Sequence, residues 1–397
     1  MTTTHTNPDH KGTEFFASLE GMRGIAAIGV VLYHVFWGWH LRYNSLIHHG
    51  ALFVDFFFII SGFVICHIYA TRLRDSGDLG KFLLLRTMRL YPLHLFTLVV
   101  IAVILVMTQW LGSQWQVFSY IDNDSRLQGT LQDFLLNLTL LHGILQHDDF
   151  TFNRPSWSIS TEYYTYFLFA LTALVTAARR YLMITIALAI VGIAGMHLWQ
   201  RGGLIVVNND DAWLVSPGML RCVTGFFIGV LLQFIWQVIH IRAREAMDNW
   251  RSHLVEAASI AFVIFSMCRF NKDRMQFITL LSFAVLVLVF SLSRGWATKI
   301  LESGVFHKLG QWSYSIYLTH FVILIIFAGI LKMTFHKPNL HHVMSAWKMD
   351  IVTVIFVGTV LLVSSLTYRF IEIPPRAWAK SRIMRKRAAA AQSSIIA

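Results

Sequence analysis

Long apolar runs alternate with short, mostly basic polar segments along almost the whole chain. A helix of about 20 apolar residues is long enough to cross the roughly 30 Å hydrocarbon core of a bilayer. The pattern therefore predicts an all-α fold, a polytopic membrane helix bundle with about ten transmembrane helices. The predicted spans lie near Ile25–Trp39, Ala51–Ala70, Tyr91–Leu111, Ile159–Ala178, Tyr181–Trp199, Ser216–His240, Leu254–Cys268, Gln276–Ser293, Trp312–Leu331 and Ile351–Ile371.

One further apolar patch, from Leu131 to Leu145, is interrupted by an acid, an amide and a histidine. Such a mixture is typical of an amphipathic helix at the membrane surface rather than of a span. The patch lies in the longest connection, Gly112 to Ser158, which is predicted either to roof a site that opens outward or to be a solvated loop. The acidic residues that suggest a roof are Asp122, Asp124, Asp148 and Asp149.

Of the 397 residues, 56% are hydrophobic and 14% are charged, a composition that does not fit a soluble enzyme. The formal net charge of +12 is spread between the apolar runs, so nucleic acid is not a predicted partner. With the N-terminus inside, the inner segments hold about twice as many Lys and Arg residues as the outer ones. Both termini are therefore predicted to be cytoplasmic, although the outer hairpin 269–274 breaks the pattern.

This organisation divides the chain into three regions. Residues 1–18 form a polar cytoplasmic segment without a cleavage site, so the first helix is predicted to be an uncleaved anchor. Residues 19–376 form the membrane domain, and residues 377–397 form a basic cytoplasmic tail. The cysteines are scattered without metal-ligand spacing, so neither a disulfide nor a metal site is predicted.

The first span carries an ionisable side chain, because His34 follows Arg23 by eleven positions, about 16 Å along a helix. If Arg23 marks one membrane face, His34 lies near the midplane, where an ionisable group is costly and is a functional candidate. The alternative is a packing histidine that bonds to a neighbouring serine or carbonyl group.

Four more polar side chains are predicted to lie between the midplane and the outer surface. These are Asp55, Ser61, Glu162 and His320. Ionisable groups that distant helices place at a similar depth suggest a single pocket. For Asp55 and Glu162 the alternative is that each carboxylate complements the dipole of a helix N-terminus.

On the inner side, Arg86 and Arg89 are three positions apart and share one helix face. Two guanidinium groups so placed can bind phosphate groups as a fork. Positive-inside anchoring of the third span would explain the same residues. The sequence contains no Walker loop, dinucleotide glycine motif or nucleophile elbow.

Several blocks of the chain resemble, in order, the motifs of the acyltransferase 3 family of integral membrane acyltransferases. The first two are Leu19–Gly24 with His34, and Phe53–Phe63. The later blocks are Arg86–Arg89 followed by Tyr91 and Pro92, then Pro155–Glu162, Gly310–His320 and Glu372–Pro374. The ordered set is specific although each block is weak, and Glu20 and Met22 are mild departures. No hydrolase-like domain follows the last span, so we do not expect the chain to pass its acyl group to one.

The resemblance implies transfer of an acyl group, most often acetyl, from cytoplasmic acyl-coenzyme A to a hydroxyl group. Acyl-coenzyme A is expected as a co-substrate, with no permanently bound cofactor. The implied acceptor is an envelope carbohydrate or a lipid-linked glycan, and the implied location is the bacterial inner membrane, among its lipids.

Roles for single residues follow from this resemblance and from their chemistry. His34 is expected to act as the general base, and Glu162 or Asp55 to orient its imidazole or bind sugar hydroxyls. The residues expected to bind the donor are Arg86, Arg89 and Arg23. The residues expected to bind substrate are Trp157, Ser61, Tyr314, Tyr317 and His320.

Two other functions fit parts of the same pattern. A proton-coupled transporter would use the intramembrane histidines and acids as a proton relay. A structural assembly partner without catalysis would leave His34 unexplained. The sequence leaves open the acceptor, the length of the acyl chain, and whether transfer is direct or proceeds through an acyl-enzyme.

Overall fold

The computed structural model describes residues 16–114, 129–145, 151–175, 178–198, 216–246, 249–269, 276–336 and 344–396. Within these ranges the chain is helical and contains no strand, which confirms the predicted all-α class. The helices are α1 (Ala17–His34), α2 (Ser45–His48), α3 (Phe53–Tyr69), α4 (Ser76–Gln114), α5 (Leu131–Leu138), α6 (His142–Leu145), α7 (Trp157–Val175), α8 (Ala178–Leu198), α9 (Pro217–Ala246), α10 (Asn249–Arg269), α11 (Gln276–Leu292), α12 (Trp296–Leu301), α13 (Gly304–Phe335), α14 (Ala346–Thr367) and α15 (Ile373–Ile396). Short 3₁₀ turns cover His40–Tyr43, Gly50–Leu52 and Arg154–Ser156, and a π turn, Tyr368–Glu372, joins α14 to α15.

Each predicted span overlaps one long helix of the structure. Among the described residues, 6 helical segments are long and apolar enough to cross a membrane, and they contain α3, α4, α9, α10, α13 and α14. Shorter apolar stretches lie in α8 and α11. The chain is therefore an integral multi-pass membrane protein, while the count of ten spans and the cytoplasmic termini stay predictions.

The predicted limits of the first span are wrong, because α1 begins at Ala17 and ends at His34 instead of continuing to Trp39. Val35 is already extended, with φ −67° and ψ 109°. The Arg42 guanidinium donates to the Val35 carbonyl at 2.6 Å, so a backbone oxygen released at the helix end is satisfied. Trp37 is fully buried, and its indole N–H donates to Thr353 Oγ1 at 2.8 Å. An apolar run does not reveal such a break, since buried extended chain and buried helix need the same side chains.

Small residues allow two pairs of helices to touch along their backbones. A Cβ atom on Gly62 of α3 would lie 1.8 Å from the Phe226 carbonyl oxygen of α9, and one on Gly229 would lie 2.0 Å from the Ile59 carbonyl oxygen. The backbones of α1 and α13 meet in the same way, since a Cβ on Gly310 would lie 2.3 Å from the Glu20 carbonyl oxygen. Close backbone approach through small residues is a main source of packing energy in membranes.

The apolar patch before α7 is not a span, as predicted, but it forms two short helices instead of one. Leu140, with φ 57°, separates α5 from α6. Leu131 is 75% exposed, whereas Asn137 and His142 are buried and face the bundle. Two parts of the long connection, residues 115–128 and 146–150, lie outside the described residues, and they include Asp122, Asp124, Asp148 and Asp149.

Candidate active site

Two histidines 286 positions apart meet where α1 ends against α13. His34 Nδ1 lies 3.3 Å from His320 Nε2, and the two ring centroids are 4.9 Å apart. His320 is fully buried, and His34 is partly buried. Their backbones are brought together by the close α1–α13 packing, so the pair is fixed by the same contact that holds these helices.

Backbone carbonyl contacts determine which nitrogen of each ring carries hydrogen. His34 Nδ1 lies 2.9 Å from the Val30 carbonyl oxygen, and His320 Nδ1 lies 3.2 Å from that of Ile316. Since a carbonyl oxygen only accepts, both neutral rings carry hydrogen on Nδ1. His320 Nε2 is then a second acceptor for the His34 Nδ1–H, and the lone pair of His34 lies on Nε2. The alternative role of His34, a packing histidine that bonds to a carbonyl group, therefore describes Nδ1. Nε2 has no hydrogen-bond partner among the described residues.

Glu162 of α7 belongs to a different group of side chains. Its Oε1 accepts hydrogen bonds from Ser61 Oγ at 2.6 Å and from Tyr166 OH at 2.5 Å. The Ser61 and Tyr166 hydroxyls are themselves 2.9 Å apart. Glu162 also interacts electrostatically with Arg23 and Arg86. Glu162 and Ser61 therefore lie together, at the arginine end of α1 and not at its histidine end.

Four arginines from three helices gather at this end of α1, and we call them the arginine cluster: Arg23, Arg86, Arg89 and Arg376. Arg86 donates to Tyr69 OH at 3.1 Å, and its guanidinium carbon lies 5.1 Å from the Tyr69 ring centroid and 5.9 Å from that of Tyr166. Arg86 Nε is buried without a hydrogen-bond partner among the described residues. Aromatic faces can hold a guanidinium group while leaving its N–H donors for a ligand.

Glu372 supplies another carboxylate at this end, at the π turn between α14 and α15. It accepts a short hydrogen bond from Ser315 Oγ, and Arg376 Nη1 lies 3.9 Å from its Oε2. Arg89 and Arg23 act on it electrostatically. With Glu162 and Glu20, whose charges also act on Arg23, three carboxylates face four guanidinium groups, so this end of α1 keeps a net positive charge suited to phosphate groups. A π turn inside a helix is frequent at functional sites.

Asp55 lies in a separate, fully buried ion pair. Arg221 Nε and Nη2 of α9 donate to Asp55 Oδ1 at 3.2 Å and Oδ2 at 2.9 Å. The Arg221 guanidinium carbon also lies 5.3 Å from the Trp157 ring centroid. A bidentate pair so completely enclosed joins α3 to α9, and its rupture would leave an uncompensated buried charge.

The residues predicted to bind substrate lie in different places: near the histidine pair, near the arginine cluster or at the Asp55–Arg221 pair. Tyr317 lies near the histidine pair, with its ring centroid 6.0 Å from that of His320, and its hydroxyl lies 2.8 Å from Ser158 Oγ. Tyr314 instead faces α4, where its hydroxyl donates to the Leu90 carbonyl at 2.5 Å, next to Arg89. Trp157 covers the Asp55–Arg221 pair.

Two further buried histidines stack between α4 and α6. The rings of His94 and His142 are stacked, with centroids 5.6 Å apart, and His142 Nε2 lies 2.9 Å from Ser156 Oγ. Burial and the neighbouring His94 lower the pKa of His142 to about 3, so His142 is neutral at physiological pH. His142 begins α6, and His94 Nε2 of α4 lies 2.9 Å from the Asn137 carbonyl oxygen of α5, so α5 and α6 lie against the membrane domain.

The expectation that Glu162 or Asp55 orients the His34 imidazole is not met by these contacts. The described hydrogen bonds of His34 go to Val30 and His320, while Asp55 pairs with Arg221. The described contacts place the predicted residues in three groups, the histidine pair, the Glu162 group and the Asp55–Arg221 pair, and a single pocket stays a prediction. Sequence reasoning missed Arg221, Tyr166 and the positions of Glu372 and Arg376 beside the other arginines of the cluster. Glu372 could have been found, since it opens the last matched block.

Comparisons with known proteins agree with the resemblance to the acyltransferase 3 family. A family profile described as an acyltransferase domain, acyltransferase 3, matches residues 16–369. The peptidoglycan O-acetyltransferase OatA of Listeria monocytogenes is 23% identical over 386 residues, 91% of this chain and 56% of its own length. The acyltransferase MdmB of Streptomyces mycarofaciens is 26% identical over 333 residues, 77% of this chain and 78% of its own. The chain thus spans a little over half the length of the Listeria enzyme. No solved structure matches the chain.

Proposed function

The chain belongs to the acyltransferase 3 family, and from that premise we propose that it is a membrane O-acyltransferase that takes its acyl group from cytoplasmic acyl-coenzyme A. The acyl group is acetyl, and the acceptor is a hydroxyl of an envelope carbohydrate or a lipid-linked glycan. The similarity to a peptidoglycan O-acetyltransferase supports both choices. The bacterial inner membrane is the location that fits a cytoplasmic donor and an envelope acceptor.

The arginine cluster supports a phosphate-bearing donor. Its positive charge exceeds the negative charge of the carboxylates beside it, and arginine binds phosphate oxygens through paired N–H donors. Arg86 and Arg89 hold the coenzyme phosphates on this hypothesis, and Arg23 adds a third guanidinium at the same depth. The pantetheine arm then extends along α1 toward the histidine pair.

His34 supports chemistry on a hydroxyl acceptor. Its Nε2 lone pair takes the hydroxyl proton while the acceptor oxygen forms a bond to the thioester carbonyl carbon. His320 accepts the Nδ1–H, so the ring that becomes charged is held in one tautomer and orientation. The intermediate collapses by breaking the carbon–sulfur bond, and the leaving sulfur takes back the proton from His34.

One observation carries the proposal: the phosphate-competent arginine and the base lie on one helix. Arg23 and His34 are eleven residues apart on α1, which separates them by about 16 Å. An extended pantetheine arm has to bridge a distance of this kind if the phosphates stay inside and the thioester reaches the base.

Purified protein in oriented proteoliposomes tests the proposal directly. Acetyl-coenzyme A labelled in its acetyl group is supplied on the inner face, and glycan acceptors are supplied outside. We expect the label to appear on acceptor hydroxyls, as read by mass spectrometry of the glycans. No transfer from either face, or uptake of acceptor without acylation, would favour the transporter instead.

A further inference from the structure

The segment that follows α1 contains hydrogen-bond donors that the described residues do not use. Arg42 donates through Nη1 to the Val35 carbonyl at 2.6 Å, whereas its Nε is buried and has no hydrogen-bond partner in the described ranges. Trp39, three residues earlier, is 7% exposed, and its indole Nε1 is buried and unpaired in the same ranges. A buried donor without an acceptor is costly, so two of them in one short segment point to a ligand that accepts hydrogen bonds.

The unused donors of Arg42 lie on one edge of its guanidinium group. Nε and Nη2 form that edge, and no hydrogen bond within the described part of the chain uses either atom. The end of α1 needs only Nη1, because one donor satisfies the Val35 carbonyl. The other edge keeps two parallel N–H directions and a permanent positive charge, which is the geometry that binds a carboxylate or a phosphate through two oxygens.

Arg42 is held beside the base and away from the arginine cluster. The Val35 carbonyl that it contacts belongs to the residue directly after His34, and the Cα atoms of these two residues are about 3.8 Å apart. Arg23 lies eleven residues before His34 on α1, at a distance of about 16 Å. An anion bound by Arg42 is therefore separate from the donor phosphates, and we assign it to the other substrate.

The segment that carries Arg42 is fixed against α14. The indole N–H of Trp37 donates to Thr353 Oγ1 at 2.8 Å, and the backbone N–H of His40 donates to Asp350 Oδ1 at 3.0 Å. Asp350 Oδ2 lies 2.5 Å from His40 Nδ1, so both oxygens of this carboxylate are engaged by His40. A binding group on a segment that is already held in place loses little freedom when its ligand arrives.

We propose that Arg42 binds an anionic oxygen group of the acceptor glycan. This inference rests on the proposed acyl transfer and adds the class of acceptor, a glycan that carries a carboxylate or a phosphate beside the hydroxyl that is acylated. Arg42 forms no covalent bond; its free guanidinium edge holds the anion while the hydroxyl meets His34. A sugar carboxylate and the diphosphate of a lipid-linked glycan share this chemistry, and the experiment separates them.

Three acceptors test the inference in the labelled acetyl transfer assay. The first is the disaccharide of N-acetylglucosamine and N-acetylmuramic acid, which carries a carboxylate, and the second is its neutral methyl ester. The third is the same methyl ester joined through a diphosphate to a polyprenol. With wild type, we expect at least one of the two anionic acceptors to have a KM about tenfold or more below that of the neutral ester.

Arg42→Gln removes the charge and the guanidinium edge. Its KM for the preferred anionic acceptor should rise about tenfold or more, while its KM values for the neutral ester and for acetyl-coenzyme A stay within about twofold of wild type. Arg42→Lys keeps a charge without the planar fork, so its KM should lie between the two. Lys348→Gln is the matched control, since it removes an exposed cation near the start of α14 that stacks on Trp347, and its KM values should not change.

The pattern across acceptors separates binding from a structural role. A dependence on Arg42 confined to the free disaccharide would identify the sugar carboxylate as the anion, and one confined to the polyprenol acceptor would identify the diphosphate. An equal rise of KM for charged and neutral acceptors in Arg42→Gln would overturn the inference, because Arg42 would then serve only the end of α1. If both variants failed to unfold cooperatively in detergent, equal wild-type KM values for the three acceptors would overturn it too. Wild-type protein that acylates none of them would instead contradict the proposed function itself.

Discussion

Glu256 and the proposed reaction region differ in how completely their polar groups are satisfied. The fully buried Glu256 carboxylate accepts from Ser293 Oγ at 2.6 Å, Gly295 N at 2.7 Å, Ala297 N at 2.8 Å and Thr298 Oγ1 at 2.6 Å. These residues, which we call the Glu256 anchor, join α10 to the start of α12. All donors to the carboxylate are neutral and come from one short segment.

The reaction region, defined as His34, His320 and the arginine cluster, leaves hydrogen-bonding capacity unused. Arg86 Nε is buried without a hydrogen-bond partner among the described residues, the described hydrogen bonds of His34 use only Nδ1, and guanidinium groups outnumber carboxylates. Buried polar groups are normally paired, because an unpaired one costs about 1–3 kcal/mol. The comparison teaches that a saturated polar group serves the fold, whereas an unsaturated one with excess charge is suited to a ligand.

The largest expected effect is on turnover at His34. His34→Gln keeps a polar side chain of similar length but removes the base, so kcat should fall at least about a hundredfold. Donor affinity should change little, because the phosphates are held by the arginine cluster. Acetyl transfer kinetics and titration calorimetry with acetyl-coenzyme A measure the two quantities.

Stability provides the control for this variant. One lost imidazole at a helix end removes little packing, so the thermal midpoint in detergent should stay close to that of wild type. If His34→Gln retained more than about a tenth of wild-type turnover, general-base catalysis by His34 would be excluded.

The opposite result is expected at the Glu256 anchor. Glu256→Gln replaces an acceptor oxygen by an NH₂ group that faces backbone N–H donors, so the free energy of unfolding should fall by about 2–3 kcal/mol. Acetyl transfer per folded molecule should not change. Unfolding in detergent with increasing denaturant measures the first quantity, and exposed Glu245→Gln is the control. Equal stability of the two variants would remove the contrast with the reaction region.

A smaller effect is expected when Arg86 and Arg89 are both changed to Gln. Loss of charge-assisted phosphate contacts should raise the KM for acetyl-coenzyme A by about tenfold or more and leave kcat less affected. The matched control is the pair Arg72→Gln and Arg74→Gln, two exposed arginines that precede α4. If both double variants raised the KM equally, general surface charge would be responsible instead of the arginine cluster.

The sequence was sufficient for the helices and for the ordered motifs, because apolar length and block order are local properties of the chain. It was insufficient for identifying which side chains contact each other across helices. Periodicity shows which face of a helix is buried, but not which other helix packs against that face. Asp55 and Arg221, 166 positions apart, carry no local sign of their pairing. The neighbours of Glu162 were missed for the same reason, since Ser61 of α3 and Arg86 of α4 lie far from it in the sequence.

The break after His34 was hidden for a related reason. Val35, Trp37 and Trp39 are buried whether the segment is helical or extended, so their hydrophobicity does not choose between the two. The choice depends on the Arg42 side chain, which satisfies the Val35 carbonyl, and on Thr353, which accepts from Trp37. Both partners lie outside the predicted first span.

The smallest effect is expected at Arg376, the arginine of the cluster that lies on α15. Its charge is partly offset by Glu372 at 3.9 Å, and its side chain is 30% exposed, so water weakens its interactions. Arg376→Gln should therefore raise the KM for acetyl-coenzyme A only about threefold, with kcat unchanged. Arg382→Gln is the matched control, because Arg382 lies farther along the same helix and stacks on Trp378 at 5.3 Å. A KM shift in the control as large as that of Arg376→Gln would mean that the helix attracts the donor through its net charge. A shift confined to Arg376 would mean that the π turn places one arginine of α15 in the binding site, a role that a count of the basic residues of this helix would miss.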